Sequence, residues 1–84
     1  MLYGLSAALF GKIDIVAGVV QQSNFPNYPM VSLKQSPVVE THIVPSTRHP
    51  AGVGEPAVPP IAPAVANALF ALTGKRQRAL PLVV

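Results

Sequence analysis

The sequence predicts a small α+β layer, an antiparallel or mixed sheet with two helices packed on one side. Three observations point there. Apolar residues recur at helical spacing near both ends, β-branched stretches alternate between them, and prolines and glycines separate the pieces. With 84 residues the chain is one domain at most, and a domain this small buries only roughly 60 to 65 % of the surface its unfolded chain exposes. Stability is therefore marginal.

Taken in order, Leu2, Leu5, Ala8 and Leu9 share one face of a short helix, and Gly11 is placed to end it. Lys12 to Val16 alternates polar and apolar residues, Ala17-Gly18 supplies a turn, and Val19 to Gln22 returns as the second strand of a hairpin. Residues 23–37 hold three prolines and form a turn-rich loop, with Phe25 and Tyr28 as its anchors. Val38 to Val44, VVETHIV, reads as a strand with Glu40 and His42 on one face. Residues 45–60 are a loop carrying Gly-Val-Gly-Glu. From Ile61 to Thr73 a helix presents Ile61, Val65, Leu69 and Leu72, widened by Ala66 and Phe70. Pro59, Pro60 and Pro63 belong to its lead-in or first turn, and Gly74 ends it. Arg78 to Val84 is extended, with Pro81 making it an edge or terminal segment.

Composition limits the function classes. Half the residues are apolar and 11 % are charged, against about 25 % charged in typical soluble domains. A domain this poor in charge exposes apolar patches, which mark interaction sites. The chain therefore reads as one partial domain over residues 1–84, part of a larger body. No cysteine is present, so disulfides, thiolate zinc sites and iron–sulfur clusters are excluded. No apolar run reaches membrane-spanning length, because Gly11, Lys12 and Asp14 interrupt the first one. The opening MLYGLSAALFGK lacks the basic start and the cleavage site of a signal peptide.

Lys75, Arg76 and Arg78 supply much of the net charge of +3. They complement the end of a helix better than they fit nucleic acid, since no stacking aromatics are interleaved with them. His42 and His49 lack a third ligand at metal-site spacing. Neither a phosphate-binding loop, a dinucleotide fingerprint nor a serine elbow is present.

The one constrained carboxylate is Glu55. Gly52 and Gly54 allow positive φ on one side of it, and Pro56 restricts it to extended backbone on the other. By spacing alone it is a loop glutamate ahead of a helix N-terminus, where negative charge is mildly favourable.

The stretch GVGEPAVPPIAPAVANALFALTGKRQRALPL, Gly52 to Leu82, resembles the C-terminal end of the large subunit of molybdenum hydroxylases, the xanthine oxidase and aldehyde oxidase superfamily. Within it, the isoquinoline 1-oxidoreductase beta-subunit branch is the most similar. SAALFGKIDI, VVQQSNFPNYPMV and ETHIVPS resemble the same branch in the same order, so the likeness covers nearly the whole chain.

The resemblance implies that Glu55 is the active-site base beside the molybdenum and is not a metal ligand. It would take a proton from a hydroxyl that attacks an aldehyde or an N-heterocycle, with product oxygen drawn from water. It further implies a molybdenum-molybdopterin cofactor in the complete enzyme, none held by this chain alone, and no activity for the chain in isolation. The implied partners are the remainder of the molybdopterin-binding subunit and an iron–sulfur subunit, in a periplasmic or cytoplasmic assembly. A rival reading is a non-catalytic interaction module, or a truncated remnant that keeps the fold and covers its open faces as a homo-oligomer.

Overall fold

Leu2–Phe10 forms α1. A Cβ added at Gly11, the residue that ends it, would come 2.6 Å from the Ala7 carbonyl oxygen, so the chain leaves the helix through a position too tight for a side chain. Gly11 itself is extended, and its N–H donates to that carbonyl at 3.0 Å. The computed structural model describes residues 1–82. The expected extended end, Arg78 to Val84, can be followed through Leu82 and bends over residues 79–81 instead of forming a strand, with a cis bond between Leu80 and Pro81; Val83 and Val84 lie outside the described residues.

Ile15–Val16 (β1) and Val19–Val20 (β2) pair antiparallel, Ile15 opposite Val20 and Val16 opposite Val19. The connection is Ala17-Gly18, with φ of 49° and 77°. Positive φ at both central residues is the geometry whose twist matches two-residue hairpins. Just beyond the paired residues, Gln22 Oε1 accepts the Asp14 N–H at 2.7 Å and Gln22 Nε2 donates to Asp14 Oδ2 at 3.3 Å. Lys12 Nζ lies 2.9 Å from the other Asp14 oxygen and, chiefly by that hydrogen bond, holds the carboxyl below its ordinary value.

Residues 23–37 contain two 3-10 turns, Phe25–Asn27 and Leu33–Gln35. Phe25 is not the expected anchor, being 79 % exposed. Asn27 holds the loop instead. Its Oδ1 accepts the N–H groups of Ser23 and Asn24 at 2.9 and 3.1 Å, and its Nδ2 donates to the Gln21 carbonyl at 2.9 Å.

Val58–Thr73 is α2, which starts three residues ahead of the expected Ile61. Pro59 and Pro60 occupy its first turn, where missing N–H groups leave no helical bond unmade. Pro63 lies inside the helix rather than in its first turn, so that position lacks the amide for a bond to the carbonyl of residue 59. At the far end Gly74 is left-handed, φ 70°, and its N–H closes on the Phe70 carbonyl at 2.8 Å. Leu72, expected on the apolar stripe, is exposed; the half-buried positions are Val58, Ile61, Ala62, Val65, Ala66, Leu69 and Phe70.

Two helices and one antiparallel hairpin give the expected α+β class. The helices meet each other and not the hairpin. The hairpin is too short and too exposed on both faces to form a platform, since all four paired residues remain open to solvent. A second difference is that Val38 to Val44 joins no sheet among the described residues. Strand propensity is realised only where a neighbouring strand offers a ladder, and among the described residues none pairs with this segment.

The core is correspondingly small. Leu5, Ala8 and Leu82 are its buried apolar side chains, with Ser6 buried beside them. Gly4 sits where the helices cross, so α2 approaches the α1 backbone directly. The Val31 N–H donates to Ser6 Oγ at 3.0 Å and the Leu82 N–H donates to the Ala8 carbonyl at 2.7 Å. These bonds tie the loop and the C-terminal segment to α1.

The remainder lies open. The radius of gyration is 16.1 Å, where a compact chain of this length has about 12 Å. The accessible surface is 7208 Å², whereas a compact monomer of this mass exposes about 4,800 Å², an excess of about 2,400 Å².

Candidate active site

Glu55 stands immediately before α2, and its carbonyl accepts the Val58 N–H at 2.9 Å. That bond, with Pro56 next in sequence, fixes the backbone from which the carboxylate projects. On one side lies an open cleft of about 460 Å³, lined by Met1, Tyr3, Gly54, Glu55, Val58 and Pro59. On the other, Gly52, Gly54, Glu55, Pro56 and Pro59 line a second concavity of about 580 Å³. Glu55 is thus the ridge between two shallow hollows. Its side chain is exposed and has no hydrogen bond or ion pair among the described residues.

The glycines flanking this ridge differ from the sequence expectation. Neither Gly52 nor Gly54 adopts positive φ, and a Cβ at either would meet nothing within 4 Å. Nothing within the described chain therefore demands glycine at these positions. Their absent side chains leave the backbone on both sides of Val53 open to close approach from outside.

Tyr3 is the residue that sequence reading missed near the site. It reads there only as a helix position, and it reaches the cleft because α1 crosses α2 at Gly4, a juxtaposition no local pattern records.

The other candidates lie apart. Glu40 and His42 do share one side of the chain, 3.6 Å from each other, and both are well exposed. Of the basic cluster, Arg76 is turned to packing: its guanidinium lies 3.5 Å over the centre of the Phe70 ring and Nη1 donates to Asn67 Oδ1 at 3.1 Å. An exposed cation–π contact of this kind contributes about 0.5 to 1 kcal/mol.

The donor set speaks to metal binding. Among the described residues no three His, Cys, Asp or Glu side chains gather closely enough to hold an ion, and the Glu55 hollows offer one carboxylate, the Tyr3 side chain and otherwise apolar or backbone walls. These residues do not by themselves form a cage for a metal or a pterin. They can present a carboxylate to a group held by another body. No helix among the described residues is long and apolar enough to cross a membrane.

The structure thus shows a carboxylate on an open ridge, at the edge of a segment with little core for its surface. Sequence relatives give that segment its setting. The chain is 38 % identical over 82 residues to the beta subunit of isoquinoline 1-oxidoreductase from Brevundimonas diminuta, covering 98 % of this chain and 10 % of the relative. It is 36 % identical over 81 residues to the membrane-bound aldehyde dehydrogenase [pyrroloquinoline-quinone] of Gluconacetobacter polyoxogenes, covering 96 % and 10 %. A nicotinate dehydrogenase subunit from Pseudomonas putida is 30 % identical over 83 residues, covering 98 % and 7 %. The chain thus spans a tenth or less of the length of the curated relatives it matches. No protein-family model matches it, and no solved structure matches it. The chain fits a segment of a molybdenum hydroxylase subunit, the family its sequence resembles.

Proposed function

We propose that this chain supplies the catalytic base of a molybdenum-cofactor oxidoreductase, and that the base is Glu55. The supporting observation is the position of that carboxylate, on a backbone fixed by Pro56 and the bond to Val58, between two open hollows and without a partner among the described residues. A general base works when it is held within hydrogen-bond reach of the proton it removes. Here Glu55 accepts a proton from the oxygen nucleophile that adds to an aldehyde or to the electron-poor carbon of an N-heterocycle. A molybdenum cofactor bound by the rest of the large subunit would supply the redox chemistry, and an iron–sulfur partner would accept the electrons.

Under this reading the chain is inactive in isolation, because the rest of the large subunit holds the cofactor. Docking against the rest of the subunit closes the hollows beside Glu55 and excludes water from the base.

The test is Glu55→Gln in the assembled enzyme, purified by gentle affinity capture from its native host with co-purifying proteins identified by mass spectrometry. Loss of turnover by a factor of about 100 or more, with assembly intact, is the expected result, since positioned general bases contribute typically 10² to 10⁴-fold. Unchanged turnover assigns the base elsewhere. Recovery of the chain only with copies of itself favours a non-catalytic module.

A further inference from the structure

Val38 to Val44 combines two properties that conflict in an isolated chain. Its sequence carries the β-branched residues of a strand, yet it forms no helix, strand or turn, and none of its backbone groups is hydrogen-bonded to another described residue. All seven residues are exposed, Val38 to 91 % and Ile43 to 87 %.

The two faces of the segment differ. Glu40 and His42 approach each other to 3.6 Å on one side. The alternate positions Val39, Thr41 and Ile43 are all β-branched, and in a strand they occupy the opposite face. The Glu40 and His42 face also carries Val38 and Val44 at its ends, so as a strand the segment has one wholly β-branched face and one face that is polar at its centre, lacking only the ladder.

The surplus surface gives the scale of what covers it. An excess of about 2,400 Å² on one partner corresponds to about 4,800 Å² over both, near the upper end of the range for obligate interfaces, about 2,000 to 5,000 Å². Pairing with the same segment of a second copy would make an isolated two-stranded ribbon, which is marginal in water, and would leave most of that surface open. A larger body with a sheet of its own answers both needs.

We propose that residues 38–44 add as a strand to an open sheet edge in the remainder of a molybdenum hydroxylase large subunit. Val39, Thr41 and Ile43 face that subunit's core, and Glu40 and His42 face outward. Backbone pairing supplies affinity, and the alternating side chains set the register. The inference rests on the reading that this chain completes such a subunit.

The experiment mixes the 84-residue chain with the Brevundimonas diminuta beta subunit shortened by the tenth that aligns with it. Binding, turnover and amide hydrogen exchange are followed together. The expected result is slowed exchange at alternate amides within 38–44, at least ten-fold weaker binding for Ile43→Asp, and less than three-fold change for His42→Ala. The segment makes no backbone bonds in the free chain, so helix content, followed by circular dichroism, stays at the parent value in both variants. Binding and turnover with 38–44 still exchanging freely overturn this inference and leave the role of Glu55 standing. Binding and strand protection without turnover support the strand and count against the base. Protection of 38–44 in the chain alone makes a second copy the occupant and overturns the proposal, and absence of binding overturns it together with the reading it rests on.

Discussion

Gly4 lies so close to Ile61 that a Cβ on Gly4 would come within 2.7 Å of the Ile61 Cγ2 methyl and 3.2 Å of the Val58 backbone. Gly4→Ala must therefore separate the helices or bend them. Overpacking of this kind costs typically about 1 to 3 kcal/mol, a large share of what so small a core contributes. The expected outcome is a lower urea midpoint followed by circular dichroism. Adding Ile61→Ala recovers only part of the loss, since the Val58 backbone stays in place.

Gly74 and the pair Gly52 and Gly54 make a contrasting set. All three have open space where a Cβ would go, but only Gly74 is left-handed. Gly74→Ala is expected to destabilise α2 by about 1 to 2 kcal/mol, from backbone conformation alone. Gly52→Ala and Gly54→Ala are expected to leave the free chain's unfolding midpoint unchanged and to weaken its assembly with the large-subunit remainder. Paired urea titrations and binding measurements separate the two effects.

Glu55→Gln is expected to change the stability of the free chain by less than about 0.5 kcal/mol, as exposed substitutions away from caps and networks do. The carboxylate has no partner among the described residues. A large loss in the urea midpoint would mean that Glu55 holds structure, and the base assignment would then need a different residue.

Asp14 links the hairpin to acidity. Lys12 and Gln22 lower its carboxyl below the ordinary value of 3.8, so the folded hairpin favours the ionised form. The resulting stability is fully present above pH 3.8 and is lost as pH falls through the lower folded value. Amide resonances of Asp14 and Gln21 are expected to stay constant down to that pH and to move below it. In Lys12→Ala the change should begin at higher pH.

Asn27 serves the loop as a core residue serves a helix. Asn27→Ala removes acceptors from two backbone N–H groups and a donor from the Gln21 carbonyl. At about 0.5 to 1.5 kcal/mol per bond, residues 23–28 should lose their protection from amide exchange, with α1 and α2 unaffected.

Local chemistry was legible in the sequence and tertiary placement was not. The bounds of α1, the Ala17-Gly18 turn and the left-handed Gly74 follow from residues that determine their own backbone. Pro63 reads as part of a lead-in because a proline argues against a helix interior, yet the favourable apolar spacing that follows carries α2 through it to Thr73. The strand character of Val38 to Val44 is genuine as propensity but unfulfilled, since the ladder must come from another segment. Around Glu55 the carboxylate and its proline were visible in sequence, whereas Tyr3 was not. Its place beside the cleft depends on a helix crossing between residues far apart in the chain.

The bond from the Leu82 amide to the Ala8 carbonyl also sets an order in time. During synthesis α1 emerges before α2 and Leu82, the residues that bury it. Residues 11–57 must then be closed as a loop, at an entropic cost of roughly 3 to 4 kcal/mol. Until that closure the apolar face of α1 waits uncovered, exposed to chaperones and proteases. The interval in which α1 stands open is then governed by how soon residues 58–82 follow it.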